Sequence, residues 1–382
     1  VGDTGGSSSG GDSGDTGGSN AGSGGAGTDG TGGRQNGGSG GVGGTIGNSG
    51  GATGPVGGGS GTIVTPVPLD PALMSKCTGS KPIKCTFPVP ADGNYNVTVE
   101  LGSATAASTS QIEVELGRIA VQAVKLAAGV YSQQTVSVSV HNETHDDYTA
   151  PDKVLDVLIS GDAPALRGIG YAAADIPTLF VVGDSTVCDW SPDTHSQRGW
   201  AQEFSIYMKP GLAVANYADS GDTASSLYSK FASRMGGKMK KGDYLFIQFG
   251  HNDMKIASAV TAYKANLMKY VTDARNAGAT PILFSPVARR GYLNGQSGTP
   301  TVADPGFNGL DQQARDLAAA EKIAFVDLTT LAIKYYATVN IASMMVDVAH
   351  FKESGAIAVS KLVADALKAG TTPTTSIGDF LK

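Results

Sequence analysis

The chain has 382 residues, with 28 Lys and Arg against 34 Asp and Glu, so its formal net charge is −6. It contains no block of five or six like charges and no run of eighteen apolar residues. This composition argues against a nucleic-acid or anionic-membrane surface as the main partner, and it predicts that no segment spans a membrane.

The N-terminal segment has a composition that cannot support a packed core. Residues 1–61 are about half glycine, and Ser, Thr, Asp and Asn make up most of the remainder. Such a segment buries too little apolar surface to offset its chain entropy. The sequence therefore predicts a disordered Gly/Ser-rich linker over residues 1–70, the last part of which is rich in proline.

Residues 71–175 are strand-like throughout, with no helical period between the strands. Alternating or Val- and Ile-rich segments recur between turn residues, and we predict strands at 95–101, 111–115, 119–124, 135–140 and 154–160. Short strands in such succession are typical of a β-sandwich. We therefore expect an all-β, jelly-roll-like accessory domain in this region.

Two cysteines lie close together at the start of this region. Cys77 and Cys85 could form a disulfide bridge, or they could be two unrelated buried thiols, and the sequence leaves both open. Cys188 is left over and is predicted to be an unbridged, packed thiol. The N-terminal linker favours a secreted or cell-surface protein, which could derive from a lipid-anchored precursor.

From residue 176 onwards apolar strands alternate with helical segments. Strands are predicted at 178–182, 213–216, 244–249, 281–284 and 324–327. Helices are predicted at 200–208, 225–234, 262–277, 309–321 and 354–368. This alternation predicts a three-layer α/β/α sandwich over residues 176–382, with a parallel sheet and a flavodoxin-like outline.

The first strand of this domain runs directly into Gly183-Asp184-Ser185-Thr186. Ligands of open α/β sheets bind at the carboxyl ends of the strands, so the Ser185 hydroxyl would lie where chemistry collects. Gly-Asp-Ser is also ordinary turn chemistry, because Gly adopts unusual backbone angles while Asp and Ser cap helices. The tripeptide alone leaves a catalytic serine and a turn serine both open.

Further polar segments would converge on the same edge, at 220–223, 250–253, 285–290 and 347–351. A serine needs a neighbouring base, for which His350 is the candidate, with Asp347 three residues earlier to fix its tautomer. The backbone N–H groups of Ser185 and Gly221 and the Asn252 amide could donate to a developing oxyanion. These residues supply every role that acyl transfer requires.

Taken in order, these motifs resemble the four blocks of the SGNH (GDSL-type) hydrolase superfamily: Gly183-Asp184-Ser185, Gly221, Gly250-His251-Asn252-Asp253 and Asp347-x-x-His350. Within that superfamily, GDSTV at 183–187 and SPVARR at 285–290 look like the rhamnogalacturonan acetylesterase family, carbohydrate esterase family 12. The chain departs from the family pattern after Gly221, where Asp222-Thr223 replaces the usual Arg-Ser type.

The resemblance implies that Ser185 is the nucleophile, His350 the base and Asp347 its orienting partner. It likewise implies an oxyanion hole made of the N–H groups of Ser185 and Gly221 and the side chain of Asn252. No metal and no cofactor is expected. Two more residues, Arg289 and Arg290, could bind a uronate carboxylate or could only cap the sheet edge.

The implied function is that of a secreted carbohydrate esterase, which removes O-acetyl groups from plant cell-wall polysaccharide (pectin or rhamnogalacturonan) through a serine acyl-enzyme. One alternative keeps the fold but changes the substrate to acetylxylan or to small acyl or aryl esters. The other alternative is a non-catalytic glycan-binding protein. The expected partner is an acetylated polysaccharide. The sequence leaves the oligomeric state open.

Overall fold

The computed structural model describes residues 64–115, 117–141, 144–145, 148–149, 153–235, 237–290 and 307–382. The predicted linker over residues 1–70 lies almost entirely outside these ranges. None of the helices within them combines the length and the apolar character that a membrane crossing requires.

The first part of the chain, which we call the β part, consists of antiparallel strands. They are β1 (Cys77–Thr78), β2 (Ile83–Pro88), β3 (Gly93–Leu101), β4 (Ser108–Val114), β5 (Arg118–Leu126), β6 (Ser132–Val140), β7 (Thr144–His145), β8 (Tyr148–Thr149), β9 (Val154–Ala163) and β10 (Leu166–Ala173). Within the described residues one sheet has the order β1-β2-β9-β4-β5, a second has the order β10-β3-β6, and β7 pairs with β8.

The two larger sheets of the β part share one apolar core. Alternate side chains are buried along 95–101 of β3, where Thr98 is buried as well, and along 155–159 of β9. Phe87, Val97 and Val157 are examples of the residues that meet in this core. All five strands predicted in this region are present, whereas β2 and β10 were not predicted. Lysine and proline interrupt the apolar pattern of β2, and glycines interrupt that of β10. The jelly-roll description stays a prediction.

The structure decides between a disulfide bridge and two separate thiols at Cys77 and Cys85. Cys77 and Cys85 are direct partners in the antiparallel pair β1–β2, and they form a disulfide bond. Cys188 is buried and belongs to no disulfide. The bridge therefore closes the first hairpin of the β part, and Cys188 packs in the interior as predicted.

The second part of the chain, the α/β part, contains a parallel sheet. Its strands are β11 (Thr178–Gly183), β12 (Ala213–Asn216), β13 (Tyr244–Gln248), β14 (Thr280–Phe284) and β15 (Ala324–Val326). Their order is β12-β11-β13-β14-β15, and each neighbouring pair is parallel. This is the flavodoxin-like order, in which the winding reverses beside the first strand, between β11 and β13. The predicted parallel sheet is confirmed.

Helices cover both faces of this sheet. They are α1 (Ala224–Met235), α2 (Ala257–Ala277), α3 (Leu310–Glu321), α4 (Leu328–Tyr336) and α5 (Glu353–Ala369). Phe180 and Val182 of β11 pack into a core with α1, α2 and α3, whereas Leu179 and Val181 pack into a core with α4 and α5. The alternation of side chains along one strand thus serves two separate cores, and the α/β part has three layers. Short 3-10 helices lie at Pro71–Lys76, Phe204–Tyr207, Asp253–Lys255, Ile341–Met344 and Ser376–Phe380.

The predicted helix at 200–208 is wrong. The segment forms turns followed by the 3-10 helix at Phe204–Tyr207. The carbonyl of Trp200 accepts the N–H of Glu203 at 3.2 Å and also the hydroxyl of Ser360 in α5. A tertiary contact thus occupies a carbonyl that an α-helix would need for its own ladder. The nine-residue helix α4 was not predicted, because it follows β15 with a single residue between them.

The β part and the α/β part belong to one compact unit, Gly57–Lys382. The side-chain amide of Asn94 donates to the Ile176 carbonyl at 3.0 Å and to the Thr178 hydroxyl at 2.8 Å. The Gly211 N–H, just before β12, donates to the Ser137 hydroxyl of β6 at 2.9 Å. The β part therefore packs beside β12, the edge strand of the parallel sheet. The predicted domain boundaries at residues 70 and 175 stay predictions.

Candidate active site

Three side chains that are far apart in the sequence meet at the carboxyl ends of the parallel strands. The Nε2 atom of His350 lies 2.8 Å from the Oγ atom of Ser185, and its Nδ1 atom lies 2.7 Å from the Oδ2 atom of Asp347. Ser185 follows β11, and the other two residues lie in the loop before α5. A hydroxyl, an imidazole and a carboxylate therefore form one hydrogen-bonded chain.

The loop before α5 fixes the Asp347 carboxylate independently of the imidazole. Its Oδ1 atom accepts the backbone N–H groups of Ala349 at 2.7 Å and His350 at 2.8 Å. Burial disfavours the charged form, but hydrogen bonds from the His350 side chain and from both N–H groups outweigh it and lower the pKa of Asp347 to about 2. The carboxylate is thus ionised at neutral and mildly acidic pH, where it can accept the Nδ1–H of the imidazole.

We expect the stability that the ionised Asp347 contributes to disappear at strongly acidic pH. Its pKa is about 2 in the folded protein, against an ordinary value of 3.8. The contribution to stability is therefore complete at pH values above the ordinary pKa, and it is lost as the pH falls through the pKa of the folded protein. Thermal unfolding of the wild type and of Asp347→Asn at pH 5, 4, 3 and 2 measures this. The Tm advantage of the wild type should shrink across that series, and an advantage independent of pH would contradict the assignment.

Residues 184–191 begin where β11 ends, and we call them the nucleophile loop because they contain Ser185, the predicted nucleophile. A β-carbon at Gly183 would lie 2.7 Å from the carbonyl oxygen of Gln248, so the chain requires glycine at this position. The next carboxylate, that of Asp184, accepts the N–H of Thr186 at 3.1 Å and its hydroxyl at 2.8 Å. Its other oxygen accepts the N–H of His251 at 3.2 Å. Asp184 therefore ties the loop after β11 to the loop after β13.

A cavity of about 200 Å³ adjoins the serine hydroxyl. It receives residues from the loops that follow β11, β12, β13 and β14 and from the loop before α5. The lining residues are Ser185, Ser220, Gly221, His251, Asn252, Lys255, Arg289, Asp347, Val348, Ala349 and His350.

All three predicted oxyanion donors line this cavity. Among the described residues, neither the backbone N–H of Ser185 nor that of Gly221 has an acceptor. Gly221 has a φ of +77°, and nothing lies within 4 Å of where its β-carbon would be. The Asn252 amide donates one N–H to the Asp222 carbonyl at 3.0 Å, and its oxygen accepts the Lys255 ammonium at 3.0 Å. Lys255 thus orients the amide so that its NH₂ group is available as the donor.

Replacing Asn252 by alanine should lower kcat by about 10²–10³-fold, the usual cost of removing one oxyanion donor. The effect should fall on kcat rather than on KM, because the donor meets charge that develops only in the transition state. Steady-state hydrolysis of a small acetyl ester measures both constants. Asn96→Ala, in β3 of the β part, is the matched control. A kcat equal to that of the control would remove Asn252 from the reaction.

Arg289 and Arg290, for which the sequence predicted the same role, have different positions in the structure. Arg289 lines the cavity, and its Nη1 atom contacts the Sδ atom of Met254, a weak acceptor, at 3.7 Å. Arg290 is not among the lining residues, and its backbone N–H donates to the Val348 carbonyl at 2.8 Å. Arg289 is therefore placed to touch a substrate, and Arg290 supports the loop before α5.

His251 and Asp253, the two residues on either side of Asn252, support the loops around the cavity. His251 is buried, its Nε2 atom lies 2.9 Å from the Val287 carbonyl, and burial lowers its pKa. Asp253 is fully buried and accepts the N–H of Ala224, the first residue of α1, at 3.0 Å. Burial raises the pKa of Asp253 to about 7, although the Ala224 N–H opposes this; the Asp184 charge raises the pKa further. Both residues hold loops of the cavity in place.

Two residues of the site make contacts that sequence reasoning did not predict. Lys255 lines the cavity, and a cation two residues after the 250–253 segment was the signal for it. Trp190 donates its Nε1–H to the Ser185 carbonyl at 3.0 Å, and its ring lies edge-on to that of His350 with centroids 6.1 Å apart. No pattern in the sequence marks Trp190 for this position. No group of three His, Cys, Asp or Glu side chains that could hold a metal ion occurs in the described ranges.

Comparison with known proteins places the chain in a family. The model of the GDSL-like Lipase/Acylhydrolase family matches residues 181–356, a range that starts in β11 and ends in α5. The rhamnogalacturonan acetylesterase RhgT of Bacillus subtilis is 30% identical over 206 residues, which are 50% of this chain and 89% of that protein. The chain belongs to the GDSL-like lipase/acylhydrolase family.

Two further proteins that resemble this GDSL-like acylhydrolase are, like RhgT, from Bacillus subtilis. The probable rhamnogalacturonan acetylesterase YesY of Bacillus subtilis is 29% identical over 206 residues, which are 50% of this chain and 92% of the relative. The crystal structure of the Bacillus subtilis protein YxiM is 22% identical, covers 75% of this chain and 80% of its own, and has a TM-score of 0.45. The resemblance inferred from the sequence motifs is confirmed, and the protein is a carboxylic-ester hydrolase.

Proposed function

We propose that this protein is a secreted carbohydrate acetylesterase that removes O-acetyl groups from plant cell-wall polysaccharide of the pectin or rhamnogalacturonan type. The observation that carries the proposal is the hydrogen-bonded chain from Ser185 through His350 to Asp347, beside a cavity lined by the three predicted oxyanion donors. Two relatives named as rhamnogalacturonan acetylesterases support the substrate class.

In the first half of the reaction Ser185 attacks the acetyl carbonyl carbon with its Oγ atom. Its proton passes to Nε2 of His350, and Asp347 stabilises the imidazolium that results. The carbonyl electrons move onto oxygen, where the donors of Ser185, Gly221 and Asn252 stabilise the charge. The bond between the carbonyl carbon and the sugar oxygen then breaks, and the sugar oxygen takes the proton from the imidazolium.

In the second half a water molecule hydrolyses the acetyl-enzyme. The water oxygen bonds to the acyl carbon while one of its protons passes to Nε2 of His350. The bond between that carbon and Ser185 Oγ then breaks, the serine regains its proton from the imidazolium, and acetic acid leaves as acetate after losing its proton to solvent. The same imidazole acts as base and then as acid in each half.

The size of the cavity supports a short acyl group. Its volume of about 200 Å³ is below the roughly 300–1,000 Å³ of pockets that enclose drug-sized ligands. An acetyl group fits in such a space with part of the sugar ring, whereas a long fatty acyl chain is larger than the cavity that the described residues enclose.

The charges around the cavity support an anionic polysaccharide. Lys255 and Arg289 contribute two cations to the lining, and the one carboxylate among the lining residues that the structure describes, that of Asp347, already binds His350. A guanidinium can bind a carboxylate through two parallel hydrogen bonds. We therefore assign Arg289 to the carboxylate of a uronic acid next to the acetylated position.

The disulfide supports secretion. Bonds of this kind persist in oxidising compartments and are rare in the cytosol. Cys77 and Cys85 form one at the start of the β part. Fractionation of the source cells tests the location, with the chain expected in the medium or at the cell surface and a cytosolic chain counting against it.

Acetate release from matched polymers tests the substrate. We expect a higher kcat/KM on acetylated rhamnogalacturonan or pectin than on acetylxylan or a small aryl acetate, with Ser185→Ala as the blank. A preference for acetylxylan, or equal turnover of polymer and small ester, would replace the pectin assignment. Binding of the polymers without any acetate release would favour a glycan-binding protein instead.

Replacing Arg289 by methionine should lower kcat/KM on the uronate-containing polymer by about 10–100-fold, because a hydrogen bond to a charged group contributes about 1.5–3 kcal/mol. Activity on acetylxylan and on a small acetyl ester should change little. Arg290→Met is the matched control, since Arg290 does not line the cavity. An equal loss on all substrates, or the same loss in the control, would contradict a role in uronate binding.

A further inference from the structure

The nucleophile loop is held to the rest of the site by Trp190. The indole N–H of Trp190 donates to the Ser185 carbonyl at 3.0 Å, and its ring meets the His350 ring edge-on at an interplanar angle of 85°. Gln202 accepts the backbone N–H of Trp190 at 3.1 Å and donates to its carbonyl at 2.9 Å. One buried aromatic residue therefore contacts both the backbone of the nucleophile and the base.

The residue before this tryptophan is Asp189, which is 1% exposed. Its Oδ1 atom accepts the side-chain N–H of Asn216 at 2.7 Å, and the same amide donates to the Val187 carbonyl at 3.0 Å. Its Oδ2 atom accepts the Nε–H of Arg118 at 2.6 Å. The carboxylate thus anchors the loop to β12 on one side and to the β part on the other.

Arg118 reaches this carboxylate from the first residue of β5. The side chain is 1% exposed, and its Nη1 atom donates to the Val214 carbonyl of β12 at 3.3 Å. A guanidinium presents donors in a fixed planar fork, so it fixes direction as well as charge. An ion pair buried on both sides is sensitive to the loss of either partner, because the remaining charge has no water to solvate it.

We propose that Arg118 is a positioning residue for the ester hydrolysis: through Asp189 it holds the nucleophile loop so that Ser185 and His350 stay aligned. This inference rests on the proposed roles of those two residues. It gives the β part a task in the reaction besides any contact with glycan. A displacement of about 1 Å in a reacting group can cost about 10²-fold in rate.

The test measures kcat, KM and Tm for Arg118→Met, Arg118→Lys and the double variant Arg118→Met/Asp189→Asn on a small acetyl ester. Arg118→Met should lower kcat by about 10–100-fold and leave KM within about 2-fold, and Arg118→Lys should restore part of the loss. The double variant removes both charges of this pair, so its Tm should recover towards that of the wild type while its kcat stays low. Assays are run well below the lowest Tm.

Arg167→Met is the matched control, because Arg167 pairs with Glu100 at the exposed surface of the β part. A kcat that recovers together with Tm in the double variant would show that Arg118 only stabilises the fold, and would overturn the proposal. Should Arg118→Met fail to fold, the lysine and double variants decide alone. Unchanged kcat in these variants, with Ser185→Ala inactive, would reject the positioning role while leaving the proposed esterase intact. Activity in Ser185→Ala would reject the proposed mechanism itself.

Discussion

Replacing Ser185 by alanine should lower kcat for acetate release by about 10⁵–10⁶-fold, because the whole covalent route is lost with the nucleophile. The His350 imidazole would then face a methyl group in place of the hydroxyl that lies 2.8 Å from its Nε2 atom. The fold should be preserved, since the change removes one oxygen from a residue at the rim of a cavity. Acetate release and Tm, measured on the same preparation, test both statements.

Ser191→Ala is the matched control for this variant. Ser191 belongs to the same loop and is buried to a similar extent, 6% exposed against 7% for Ser185. The control should retain nearly full activity. Cys188 offers a second possible nucleophile in the loop, but its thiol is buried and points to the Ser185 carbonyl at 3.8 Å. Residual activity in Ser185→Ala that a thiol reagent abolishes would move the nucleophile to Cys188.

Replacing Asp347 by asparagine should lower kcat by about 10³–10⁴-fold at neutral pH. The carboxylate accepts from Nδ1 of His350 at 2.7 Å, which leaves Nε2 as the atom that takes the serine proton. An amide in its place can donate to Nδ1 and favour the wrong tautomer, and it also lacks the charge that stabilises the imidazolium. Hydrolysis of a small acetyl ester gives the rate.

Asp193→Asn is the control for the aspartate variant, because Asp193 is an exposed residue close to the nucleophile loop. The control should behave like the wild type. A rate for Asp347→Asn within 10-fold of the control would mean that His350 is oriented by some other group. The Asp347→Asn protein should still bind an organophosphorus serine reagent, only more slowly, since Ser185 is retained.

The strands of the α/β part were predictable because a buried strand leaves a local pattern in the sequence. Each predicted strand from 178–182 to 324–327 overlaps a strand of the sheet, since buried parallel strands are short apolar runs with turns at both ends. The helix predicted at 200–208 is wrong because a contact with a distant part of the chain decides the structure of this segment. Its apolar residues have a helix-like spacing, but a hydroxyl from α5 takes the Trp200 carbonyl.

The candidate site was predictable as a set of residues and not as a geometry. Ser185 and His350 were chosen because each follows a strand or precedes a helix at the same edge, which parallel topology brings together. The difference between Arg289 and Arg290 could not be predicted. Adjacent residues in a loop point in different directions, and only the packed structure shows that Arg289 lines the cavity.

The amino-acid sequence by itself determined the parallel sheet, the serine at the end of its first strand and the three-residue spacing of Asp347 and His350, because each depends on neighbours along the chain. Tertiary structure alone decided that Trp190 touches both Ser185 and His350, and that Arg118 reaches Asp189 across 71 residues of sequence. Buried polar contacts of this kind leave no periodic signal. They depend on segments far apart in the chain that pack at a distance and angle which no local pattern encodes.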